Sequence, residues 1–140
     1  MRKLIVILLF IPVIAYSQQT INTSIMHDSI QRDYILYIPA SYSPGTPAPL
    51  ILCFHGYTST ASTISWYSNF SSIADTAGFI IAFPQGTLDN TSTTHWNVGG
   101  WIIGSTVDDV GFTDALLDTL MAGYSIDTTR IYSTGMSNGG

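Results

Sequence analysis

Apolar and polar positions alternate in two early stretches, Thr20 to Met26 and Tyr34 to Ile38, and both read as strands. The polar His27-Asp28-Ser29 between them has the place of a hairpin connection. In the second stretch Tyr34, Leu36 and Ile38 alternate with Ile35 and Tyr37, and Pro39 ends the pairing because it has no N–H to donate. Ser41 to Pro49, with three prolines and a glycine, reads as a loop. Leu50 to Phe54 is then apolar without interruption, the mark of a strand buried on both faces, and it runs into His55-Gly56-Tyr57. After a polar Thr58 to Ser65, the residues Trp66, Phe70, Ile73, Ala74 and Ala77 fall on one helical face, with Gly78 as the C-cap. Phe79 to Phe83 is a second buried strand, closed by Pro84-Gln85-Gly86.

Leu88 to Ser105 reads as a long polar and aromatic loop that holds His95, Trp96 and Trp101. Thr106-x-x-Asp109 has the form of a capping box, with Asp in place of Glu. Val110, then Ala115 or Asp114, Leu117, Leu120, Met121 and Tyr124 mark a helical stripe, and Arg130 to Thr134 follows as a strand. The predicted order is an antiparallel strand pair, then a β-α-β-α-β run. That order implies an α/β fold with a parallel sheet and right-handed crossovers.

The first residues stand apart from this scheme. Arg2 and Lys3 precede an apolar run from Leu4 to Ile14, and Ala15-Tyr16-Ser17 has the small-x-small form of a signal-peptidase site. Residues 1–17 are therefore expected to be a leader cleaved before Gln18, directing the mature chain, residues 18–140, to the periplasm or the exterior. The run falls short of the about 20 residues of a membrane span, so no stable membrane anchor is expected. The formal charge is -5, and all the acids are Asp. With Arg32 and Arg130 the only strong bases after the leader, a footprint for nucleic acid or an acidic membrane is excluded. Cys53, the single cysteine, reads as a small buried hydrophobe; a bridge would need a cysteine outside these 140 residues.

Candidate chemistry gathers at the C-terminal end. Gly135-Met136-Ser137-Asn138-Gly139 is a Gly-x-Ser-x-Gly sequence placed directly after a strand, the tight turn that presents a serine nucleophile. Gly135 and Gly139 are needed because side chains there would clash. His55-Gly56 marks the loop that supplies a second oxyanion donor, so the N–H groups of Asn138 and Tyr57 are the expected pair. His55 itself reads as a structural histidine, since the base of such a site follows the serine in the chain. Asp108 and Asp109 read as helix-capping and dipole-compensating residues, as adjacent helical positions diverge by about 100°. His95 with Asp89 offers too few ligands for a metal site. Trp96 and Trp101 are candidates either to line a substrate pocket or to pin the long loop.

Four motifs occur in order: Leu50-Ile-Leu-Cys-Phe-His-Gly56, Ala77-Gly-Phe-Ile-Ile-Ala-Phe-Pro-Gln85, Val107-Asp-Asp-Val-Gly-Phe112 and Arg130-Ile-Tyr-Ser-Thr-Gly-Met-Ser-Asn-Gly-Gly140. Together they resemble the secreted polyhydroxybutyrate depolymerase and feruloyl esterase family of α/β-hydrolases, over essentially all of the chain after the leader. The resemblance implies the N-terminal half of an α/β-hydrolase fold, with Ser137 as nucleophile and Trp96 matching a family tryptophan. It implies hydrolysis of carboxylic esters, either hydroxycinnamoyl esters of polysaccharides or polyester chains, with no cofactor and no metal. The family's acid and histidine have no counterpart up to Gly140, so these residues are expected to be a truncated catalytic domain, inactive alone. The rival expectations are a peptidase of the same fold and a non-catalytic carbohydrate-binding relative. A chymotrypsin-like protease, suggested by the order His55, Asp108, Ser137, is opposed by the alternation of helices and strands.

Overall fold

The computed structural model describes residues 17–99 and 105–140. Nearly all of the expected leader, and Trp101, lie outside the described residues. The chain opens with a hairpin of β1 (Gln19–His27) and β2 (Ile30–Ile38), longer than the alternation alone marks out. His27 pairs with Ile30 across a two-residue turn. Both turn residues, Asp28 (φ 49) and Ser29 (φ 63), are left-handed, the geometry whose twist matches that of the strands.

β3 (Ala48–Phe54) and β4 (Ile80–Pro84) are the two continuous apolar runs, and they pair in parallel. β7 (Ile126–Gly135) pairs in parallel with the other side of β3, and β2 is antiparallel to β4. The sheet order is β1-β2-β4-β3-β7, which is the predicted antiparallel pair followed by a parallel β-α-β-α-β. Both faces of the central strands are covered. Leu50, Leu52, Ile80 and Ala82 meet α3 (Asp109–Gly123) and Trp96 on one face. Cys53, Ile81 and Phe83 meet α1 (Ala61–Ser68) and α2 (Phe70–Ala77) on the other. Burial in that second layer also pushes the Cys53 thiol pKa up, as suits an inert hydrophobe.

Four local expectations need correction. The helix expected from Trp66 onward is two helices, broken at Asn69, which is left-handed (φ 52). α1 buries Ala61 and Ile64, and Trp66 is 82% exposed, because the break ends the face it was assigned to. On α3 the buried stripe is Phe112, Leu116 and Leu120, spaced four apart, while Val110 faces outward. The N-cap of α3 is Asp108, whose carboxylate accepts from Gly111 N–H at 2.8 Å, so Thr106 does not form the capping box. The long segment after β4 also carries structure of its own, a small ladder of β5 (Thr87–Leu88) and β6 (Thr94–His95).

Candidate active site

β7 delivers the serine. Its last residue, Gly135, pairs with Phe54, and Met136 N–H donates to Phe54 C=O at 3.1 Å. The chain then turns at once into a single 3-10 turn, Ser137–Gly139. Ser137 takes the left-handed conformation (φ 54) and is exposed, the strained presentation a nucleophile turn requires. The glycines follow from crowding. A Cβ on Gly135 would fall on the Gly139 carbonyl oxygen, and one on Gly139 would lie only 2.7 Å from Phe54 C=O.

The His-Gly loop lies directly beside this turn. A Cβ on Gly56 would sit 3.1 Å from Met136 C=O and 3.5 Å from Ser137 Cβ, which brings the strand-end loop and the serine together. Tyr57 is next in that loop, and its hydroxyl donates to Asp89 at 2.8 Å. Thr58 N–H donates to Thr94 C=O at 3.0 Å, so the loop is stitched to β6.

His55 is fully buried. Its Nδ1 faces Gly56 C=O at 2.8 Å, and its Nε2 accepts from Gly86 N–H at 2.9 Å. One nitrogen must donate and the other accept, which is the neutral ring with its proton on Nδ1. Burial agrees with this, pushing the imidazole pKa below its ordinary value.

His95 and Asp89 are each engaged by neighbouring polar groups. His95 is bonded to Thr87 C=O and the Ser105 hydroxyl, while Asp89 holds Thr91, Thr93 and Tyr57. Asp108 caps α3 as expected, but Asp109 does more than compensate a dipole. It is buried and accepts from the Arg32 guanidinium at 2.5 Å, and that guanidinium also lies 3.9 Å from the centre of the Phe112 ring. Arg32 escaped the sequence reading. The available signal was its register, since it shares the inward face of β2 with Tyr34, Leu36 and Ile38. His27, Asp28 and Asp108 also come together, joining the hairpin turn to the start of α3, with His27 Nε2 3.7 and 3.6 Å from the two carboxylates.

Trp96 is 4% exposed and pins its loop. Its indole N–H donates to His55 C=O at 2.8 Å, and its ring stands edge-on to Phe54. One edge of Trp96 also borders a hollow of about 300 Å³ between Phe54, Val110, Asn138 and Gly140, beside the serine turn. A larger hollow, about 500 Å³, lies at the far end of α3 around Pro39 and Tyr124, away from Ser137.

The fold of the chain agrees with solved structures. An S-formylglutathione hydrolase from Agrobacterium tumefaciens superposes with a TM-score of 0.68 over 88% of this chain and 50% of that one, at 14% identity. A ferulic acid esterase superposes with a TM-score of 0.66 over 91% of this chain and 51% of that one, at 16% identity. The chain has the N-terminal half of an α/β-hydrolase fold. Curated relatives support the family resemblance as well. They include a bifunctional acetylxylan esterase/xylanase of Neocallimastix patriciarum, 28% identical over 87% of this chain and 16% of its own length. A poly(3-hydroxyalkanoate) depolymerase C of Paucimonas lemoignei is 32% identical over 66% of this chain and 22% of its own. A feruloyl esterase B of Piromyces equi is 30% identical over 78% and 20%. The chain thus spans under a quarter of these relatives' lengths. No family model matches it. Among the described residues, no helix is long and apolar enough to cross a membrane.

Proposed function

We propose that residues 18–140 are the N-terminal part of the catalytic domain of an exported serine carboxylesterase, with residues 1–17 as its cleaved leader. The observation that carries this is Ser137, exposed and left-handed at the end of β7 with Gly56 packed against it. A serine hydroxyl is a poor nucleophile until a base takes its proton. All three histidines in the sequence are placed elsewhere: His55 and His95 in backbone and hydroxyl bonds, His27 beside Asp28 and Asp108. The base and its orienting carboxylate are therefore assigned to chain following Gly140, and residues 18–140 alone to an inactive state.

In the complete enzyme, Ser137 Oγ attacks the ester carbonyl carbon while the histidine accepts its proton. The N–H groups of Asn138 and Tyr57 receive the developing oxyanion. Collapse expels the alcohol, which takes the proton from the histidine, and water then releases the acid by the same steps reversed. The relatives' names point to hydroxycinnamoyl or acetyl esters of plant polysaccharides, or to polyhydroxyalkanoate, as substrates. The test is a panel of feruloyl, acetyl and hydroxybutyrate esters with matched amides, assayed on the full-length enzyme and its Ser137→Ala variant. Ester hydrolysis lost in the variant is the expected result; amide cleavage without ester cleavage overturns the reading.

A further inference from the structure

Asn138 is the proposed oxyanion donor through its backbone N–H, yet its side chain is the more unusual feature. It is 6% exposed, and both ends of the amide are used on one residue. Oδ1 accepts from Trp96 N–H at 2.8 Å, and Nδ2 donates to Trp96 C=O at 3.0 Å. Trp96 is in turn fixed on both sides. Its indole N–H is bonded to His55 C=O, and the next residue, Asn97, donates its N–H to Asp109 at 2.6 Å and its side-chain amide to Val107 C=O at 2.8 Å. Asp109 is held by Arg32. A continuous run of buried and part-buried bonds therefore leads from the Arg32–Asp109 pair, through Asn97 and Trp96, to the residue that follows the serine.

We propose that the Asn138 side chain is a positioning residue, holding the serine turn in register with the His-Gly loop through its two-way clasp on Trp96. The inference rests on the esterase reading of Ser137. Ser137 is strained and exposed, whereas the next residue, Asn138, is buried and held from both ends of its side chain. The clasp requires an amide, because a side chain of this size must donate and accept at once. By fixing Asn138, it aims the N–H proposed as oxyanion donor. A displacement of about 1 Å there is enough to cost roughly 10²-fold in rate.

The test uses the full-length enzyme with active sites counted by a fluorophosphonate probe. Asn138→Asp keeps the shape but sets a carboxylate oxygen against Trp96 C=O, and Asn138→Ala removes the clasp without adding charge. Both are expected to lower kcat per titrated site about 10- to 100-fold, with KM changed less than about 3-fold. Trp96→Phe, which keeps the backbone groups that Asn138 clasps but loses the indole bond to His55 and part of the ring's packing, is expected to lower kcat in the same pattern by about 3- to 10-fold. That variant keeps the test open should either Asn138 variant fold poorly. Lowered melting temperatures with unchanged kcat per titrated site would show a purely structural clasp and overturn the proposal. Undiminished activity in Ser137→Ala would instead sink the nucleophile reading on which it rests.

Discussion

At the residue scale, what could be read early was what is set locally. The serine turn is dictated by glycines within two positions of Ser137, and backbone crowding explains each of them. The Asn138 clasp was not readable, since its partner lies 42 residues away and nothing local demands an amide there. His55 sits between these cases. The sequence marks it as part of a loop motif, and the structure adds a buried, neutral ring with both nitrogens occupied. That has a consequence for stability. Its pKa is held below the ordinary 6.5, mainly by burial, so the unfolded chain takes up a proton there that the folded chain refuses. The associated stability is complete above the unfolded pKa and is lost as pH falls through the interval below it. Denaturant unfolding of the full-length enzyme from about pH 7.5 to about pH 5 should therefore show a steeper loss of stability for wild type than for His55→Gln. Parallel pH slopes for the two proteins would contradict this.

At the scale of elements, continuous apolar runs identified β3 and β4 because strands buried on both faces need no alternation. The helices were harder. A left-handed Asn69 breaks one expected face into two short helices, and nothing in the polar Thr58 to Ser65 shows that the first begins at Ala61. On α3 the expected stripe held Leu120 but not Phe112 and Leu116, because apolar residues occur around the helix and packing selects among them. One tie between elements is a buried ion pair. Arg32 on β2 and Asp109 at the start of α3 are 1% and 7% exposed. Removing one partner leaves the other charge buried and unpaired. Arg32→Ala should therefore destabilise the full-length enzyme by about 3–5 kcal/mol in denaturant titrations. A loss below about 1 kcal/mol, typical of an exposed pair, would show that the pair is solvated rather than structural.

At the scale of the whole molecule, the alternation of strands and helices was enough for the sheet class, and the ordered motifs were enough for the α/β-hydrolase resemblance. Strand order was not contained in either; it follows from crossovers that place β4 between β2 and β3, and β7 on the far side of β3. That order matters for chemistry, since it sets the end of β7 against the end of β3 and so brings Ser137 beside Gly56. The loop holding Trp96 closes over the same corner through His55, Asn138 and Asp109. The molecule thus gathers three distant stretches of sequence around one exposed, strained hydroxyl. Whether that hydroxyl is the nucleophile is measured most directly by treating the full-length enzyme with a fluorophosphonate and mapping the modified peptide by mass. A single adduct on Ser137, absent from Ser137→Ala, is the predicted result; no adduct, or one on another residue, would contradict it.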